Sequence, residues 1–182
     1  MHNILFFLLL ATALVWTSCN QDPASVQQVD KSHPPTILFL LRHAEKDTTI
    51  KQDPPLTEKG QARAELLAGQ LSGAGITTIF ASDYERTRAT AAPLPEELGL
   101  DIQLYDAKAA AQDLIPAFIT GREGEHLLIV GHSNTVPAML NSIVGEQRYE
   151  QLAEQEYDKL FMVSLSANGE AQVTTLSFEP CE

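Results

Sequence analysis

The chain predicts a three-layer α/β/α sandwich around a mostly parallel central sheet, and three observations carry that expectation. Thr36 to Leu41 and Leu127 to Val130 are continuous apolar runs without polar alternation. Such runs suit strands covered on both faces, as in a parallel sheet. Helix signals follow the strand signals in turn, the pattern of an α/β domain. Arg42-His43 ends one apolar run and Gly131-His132-Ser133-Asn134 ends the other. Ligands of open parallel sheets sit outside the carboxyl ends of the strands, where both groups fall.

The elements follow in order. After the first strand, Asp53-Pro54-Pro55-Leu56 reads as a turn. Thr57 then caps a helix, with Glu58 in its first turn, where the helix dipole favours a carboxylate. Ala62, Leu66, Leu67 and Leu71 give that helix an apolar face, and Gly73 and Gly75 end it. Ile76 to Ala81 is a second strand, and Tyr84 to Ala92 a second helix stopped by Pro93 and Pro95. Ile102 to Leu104 is a short strand, and Lys108 to Thr120 a helix that Pro116 should kink. Thr135 to Val144 is a helix with Pro137 in its first turn. Phe161 to Leu165 and Val173 to Phe178 form a closing pair of strands about Asn168-Gly169.

The 182 residues fit one domain, assigned to 36–182. Ile4 to Trp16 is apolar except for Thr12, and Thr17-Ser18-Cys19 follows. The run is short for a membrane span and reads as an export signal over residues 1–18. A cysteine at the cleavage point resembles a bacterial lipoprotein signal, although no Lys or Arg precedes the run and Trp16 stands where leucine is usual. That resemblance implies lipid on Cys19 and an exported, membrane-anchored protein that meets the membrane through its lipid alone. Residues 19–35, rich in Gln, Asp, Ser and Pro, form a tether. Cys181 is the only other cysteine, which excludes a disulfide framework. A net charge of -12 excludes nucleic acid as a partner, because phosphate backbones need basic surface. A phosphate site in such a chain must gather its few cations locally.

A neutral imidazole is a competent nucleophile toward phosphorus, and nearby cations keep it neutral. Guanidinium forks match phosphate oxygens in pairs and stabilise charge on a phosphoryl group in transfer. Arg42, His43, Arg86 and His132, each at a strand end or helix start, supply these parts.

The run Leu38-Phe39-Leu40-Leu41-Arg42-His43 resembles the signature of the histidine phosphatase superfamily, the phosphoglycerate-mutase-like enzymes. The resemblance extends over most of the chain, through Arg86 and His132. It implies that His43 is the phosphorylated nucleophile, that Arg42, Arg86 and His132 form the phosphate pocket, and that no metal or cofactor takes part. Ser82 and Thr90-Ala91 match the frame around the second family arginine, and Asn134 adds a hydrogen bond to the pocket. The family usually has glycine after the histidine, where this chain has Ala44. In related enzymes a carboxylic acid after the short third strand protonates the leaving group; Asp106 stands there, with Glu45 as its rival. Lys46 and Lys51 lie where they could line the pocket mouth.

Other classes fare worse. Gly131-His132-Ser133-Asn134-Thr135 lacks the second glycine of a serine-hydrolase elbow, and no histidine follows the serine. His43-Ala44-Glu45 lacks the cysteine pair of a zinc deaminase, and no P-loop is present. The compact length suggests a phosphatase acting on a small phosphorylated substrate or a phosphoprotein. A phosphomutase and a non-catalytic phosphate-binding lipoprotein are the alternatives.

Overall fold

The computed structural model describes residues 34–179. The export signal, Cys19, most of the tether and Cys181 lie outside the described residues.

Six strands form one sheet: β1 (Thr36–Arg42), β2 (Thr78–Ser82), β3 (Ile102–Tyr105), β4 (His126–Gly131), β5 (Lys159–Leu165) and β6 (Ala171–Ser177), ordered β3-β2-β4-β1-β5-β6. The first four in that order run parallel. β5 is antiparallel to β1 and to β6, as the closing pair should be. The expected α/β sandwich with a mostly parallel sheet is the fold observed.

The unbroken apolar runs sort by period two onto two cores. Leu38 and Leu40 of β1, with Leu127 and Ile129 of β4, face α4 (Ala111–Ile119) and α5 (Thr135–Val144). Phe39 and Leu41, with Leu128 and Val130, face α1 (Glu58–Leu71), α2 (Glu85–Ala91) and α3 (Pro93–Leu98). A strand buried on both faces has no position left for a polar residue, which explains the missing alternation.

Three local expectations need correction. The buried face of α1 is Gly60, Arg63, Ala64, Leu67, Ala68 and Leu71; Ala62 is exposed and Leu66 only half-buried. An inward-pointing Arg63, satisfied by Glu45 and the Phe178 carbonyl, turns the helix away from the all-apolar face. Pro93 does not simply stop α2; it also opens α3, because its absent N–H is no loss in a first turn. The fourth helix begins at Ala111 rather than Lys108. Asp106 draws the intervening residues into a turn, its side chain accepting from the Lys108 N–H at 2.9 Å and its carbonyl from the Ala109 N–H at 3.0 Å.

Candidate active site

The topology brings the two histidines together. β1 and β4 pair in parallel with Arg42 opposite Gly131, and the His43 N–H extends the ladder to the Gly131 carbonyl at 2.9 Å. His43 and His132 therefore leave adjacent strands side by side, ring centroids 5.5 Å apart. β2 lies on the other side of β4 and delivers Ser82 to the same edge. Gly131 is required by space: a Cβ there would stand 2.8 Å from Thr135 Oγ1 and 3.0 Å from the Tyr105 hydroxyl oxygen. Its absence lets Thr135 fold back and accept from the His132 N–H at 2.9 Å.

The protonation pattern of His43 follows from its neighbours. Nδ1 lies 2.7 Å from the Ala44 carbonyl. A carbonyl only accepts, so Nδ1 carries the proton and Nε2 keeps its lone pair. Burial pushes the His43 pKa down to about 3, with Arg86, His132 and Arg42 adding to the effect and the Ala44 hydrogen bond opposing it. Ala44 itself is buried, and its N–H donates to Thr90 Oγ1 at 2.9 Å. Its φ is not positive, so alanine is accommodated there without backbone strain.

His132 is fixed by a relay of hydroxyls. Thr87 Oγ1 donates to the Ser82 carbonyl at 2.6 Å, so it accepts from Ser82 Oγ at 3.1 Å. Ser82 Oγ then accepts from His132 Nε2, 2.8 Å away. Nδ1 of His132 is left as an acceptor, and Arg86 Nη2 lies 3.3 Å from it. Burial, then Arg86 and Arg42, lower the His132 pKa to about 4.

The two arginines differ in what they can offer an anion. Arg42 Nη1 donates to the carbonyls of Ala153, Glu154 and Glu156 at 2.7, 3.1 and 3.3 Å. Its Nη2 reaches the Tyr157 hydroxyl at 3.3 Å and Glu154 Oε2 at 3.4 Å. Both Nη groups are thus committed to the segment before β5, and Arg42 keeps one unpaired N–H, on Nε, rather than a fork. Arg86 pairs with Asp53 at 3.6 Å, and its Nε is also buried without a partner. Each guanidinium stacks on a tyrosine, Arg42 on Tyr157 at 4.1 Å and Arg86 on Tyr84 at 4.5 Å. These tyrosines also flank the histidines: Tyr84 to His132 is 5.1 Å and Tyr157 to His43 is 6.1 Å between centroids.

The site therefore gathers Arg42, His43, Arg86 and His132, with Ser82 and Thr90 as supports. Arg88 turns outward to pair with Asp83. Glu45 is held by a bidentate pair with Arg63 at 2.9 and 2.8 Å; burial would raise its pKa, but the Arg63 hydrogen bonds more than offset this and hold it down. A carboxylate so held is a poor proton donor. Asp106 follows β3, exposed, and among the described residues no hydrogen bond or ion pair joins it to either histidine. Asn134 is exposed and lines a separate cavity between α4, α5 and the Gly145–Gln151 segment. Tyr84, Tyr157 and Asp53 were not among the sequence candidates. Tyr84 lies within the Arg86 motif, whereas Tyr157 stands in no motif at all.

Residues 38–109 match the histidine phosphatase superfamily (branch 1) model. A probable phosphoglycerate mutase, GpmB, of Serratia proteamaculans is 35% identical over 71 residues, which cover 36% of this chain and 33% of that one. The chain thus spans about a third of the length of the curated relatives it matches. Among solved structures, the protein histidine phosphatase SixA complexed with tungstate superposes with TM-score 0.62 at 18% identity, covering 78% of this chain and 96% of that chain. A mycobacterial glucosyl-3-phosphoglycerate phosphatase superposes with TM-score 0.65 at 14% identity, covering 81% and 100%. The segment that carries Arg42, His43 and Arg86 has the sequence pattern of the histidine phosphatase superfamily, and the domain around it shares the fold of the SixA and glucosyl-3-phosphoglycerate phosphatase structures.

Proposed function

We propose that the domain is a metal-independent phosphomonoester hydrolase that works through a phosphohistidine on His43. One observation carries this: His43 Nε2 holds a free lone pair, with Nδ1–H tied to Ala44, beside the buried Arg42 and the half-buried Arg86, whose buried Nε atoms have no partner. Nε2 attacks phosphorus, an N–P bond forms, and the ester P–O bond breaks. The leaving oxygen takes a proton, for which Asp106 is the proposed source. Water then attacks phosphorus and gives a proton to the Asp106 carboxylate, the N–P bond breaks, and phosphate leaves with His43 neutral and Asp106 protonated again. Arg86 and Arg42 oppose the charge on the equatorial oxygens. His132 donates to them once its Nδ1 takes a proton, which the bound dianion favours. A rapid-quench experiment with labelled substrate tests the scheme. Label should stay on the protein in alkali and leave in acid, and EDTA should not slow turnover. Full activity in His43→Ala refutes it.

The relatives described as probable phosphoglycerate mutases favour a second reading, in which the same phosphoenzyme passes its phosphoryl group to another hydroxyl. Label recovered on an added phosphorylated acid rather than in water would select it. We further propose that the protein is exported and carries lipid on Cys19, and that its substrate is a small phosphorylated molecule or a phosphoprotein.

A further inference from the structure

The chain has 12 Lys and Arg against 24 Asp and Glu, yet four of its cations stand at one place. Arg42 and Arg86 flank His43, and a cavity of about 390 Å³ that opens on Arg86 is also lined by Lys46 and Lys51. Its walls are Tyr84, Ile50, Pro54 and Thr48, and Asp53 is the one carboxylate on its lining. Three cations against one anion is a basic pocket in a strongly acidic protein.

The loop that carries the lysines is held in place. Lys46 and Leu56 form a β-bridge at its base, and the Asp47 N–H donates to the Pro55 carbonyl at 2.8 Å. Asp47 Oδ1 folds the loop by accepting from the Thr49 N–H at 2.9 Å. At the far end, Asp53 adopts a left-handed backbone, φ 43°, and its carboxylate accepts from the Glu85 N–H at 2.9 Å. A non-glycine residue in that region costs free energy, so the hold on α2 is what keeps it there. The loop that bears the lysines is thereby held beside Arg86. Lys46 shares its charge with Glu154 at 3.3 Å, while Lys51 has no ion pair among the described residues. The phosphoryl scheme uses neither lysine.

We propose that this cavity is a second anion subsite, and that the preferred substrates are phosphomonoesters whose leaving group bears a further negative group, a carboxylate or a second phosphate. The inference rests on the phosphohistidine reading for its hydrolytic arm only. Without such an anion, Lys51 would face solvent and contribute nothing to selection.

Three probes of matched skeleton separate the cases: phosphoglycolate, ethylene glycol bisphosphate and 2-hydroxyethyl phosphate. The acid-bearing probes should exceed the neutral one in kcat/KM by about tenfold, the scale of one or two partly exposed ion pairs. Whichever of the two is favoured identifies carboxylate or phosphate as the second group. Lys51→Met should shrink that preference about fivefold, chiefly through KM, and Lys108→Met, away from the cavity, should leave it as it was. Rising salt should narrow it as well. The same ranking should appear in calorimetric binding to His43→Asn, which needs no turnover. If no probe is hydrolysed but the ranking and its loss in Lys51→Met persist in binding, the hydrolase reading falls and the subsite stands. Equal kcat/KM for all three, or a preference that survives Lys51→Met, overturns the subsite and leaves the hydrolase. No binding of any probe overturns both.

Discussion

Acidifying the phosphate-free protein from about pH 7.5 to about pH 5 should destabilise it through its two buried histidines, His43 and His132. Both are buried and neutral, with pKa values pushed down to about 3 at His43 and about 4 at His132. In the unfolded chain each returns to about 6.5. Over this window the unfolded state therefore binds protons that the folded state refuses, and stability falls as pH falls. An unfolded histidine some 1.5 pH units below its pKa gains about 2 kcal/mol from protonation, so the pair should cost the fold roughly 4 kcal/mol at about pH 5. The window ends there because carboxylates held down by partners, such as Glu45, start to contribute at lower pH. Urea unfolding at both pH values, in a buffer without phosphate, measures the difference. His43→Asn keeps an N–H for the Ala44 carbonyl but cannot titrate, so it should recover about 2 kcal/mol of the loss. A variant with the parent's full pH dependence would show that His43 is not the buried neutral imidazole required of a nucleophile.

Arg86→Ala should lower kcat/KM by roughly 2–4 kcal/mol, the scale of one lost oxyanion donor, and Arg86→Lys should recover only part, since a point charge cannot bind as a fork. Arg88→Ala, which breaks only the outward pair with Asp83, should do far less; equal effects at 86 and 88 would refute the assignment. Asp106→Asn should slow alkyl phosphates strongly and p-nitrophenyl phosphate mildly, because nitrophenolate leaves without a proton; equal effects, or none, remove Asp106 as the acid. Arg63→Met leaves the largely buried Glu45 carboxylate with only the exposed Lys59 ammonium, 3.7 Å away, and should cost stability toward the low end of about 3–5 kcal/mol in urea unfolding, most of it restored by adding Glu45→Gln. Cys19→Ser should release the protein from the membrane fraction or leave its precursor unprocessed; a variant processed and retained like the parent would end the lipoprotein proposal.

Much of the fold was legible because its signals are local or periodic. Two-sided burial writes itself into β1 and β4 as unbroken apolar runs, and Thr57, whose Oγ1 accepts from the Gly60 N–H at 3.1 Å, marks the start of α1. The misplaced boundaries come from side chains that act over longer distances or compete with the helix. Nothing near Arg63 in the chain says that Glu45 and Phe178 will satisfy it, so the sequence alone does not place an arginine on the buried face. Asp106 winning the Lys108 N–H is a contest between a turn and a helix that propensity alone does not decide.

The same division runs through the site. Strand ends predicted where His43, Arg86 and His132 would gather, because parallel strands deliver their carboxyl ends to one edge. What each residue has left to give depends on partners far away in the chain. Arg42 looks from its motif like a phosphate fork, but three carbonyls and a tyrosine from residues 153–157 occupy its terminal nitrogens. That makes Arg42 two things at once: a charge with one free N–H beside His43, and the clamp that holds Tyr157 against that ring. Arg86 needs no such clamp, since its tyrosine stands two residues away on its own motif. The asymmetry puts the adaptable donor on the Arg86 side, where the lysine-lined cavity also opens. Selection among substrates is therefore expected to respond to changes around Arg86 and Lys51. Changes at Arg42 should instead loosen the 153–157 segment and lower turnover of every substrate alike.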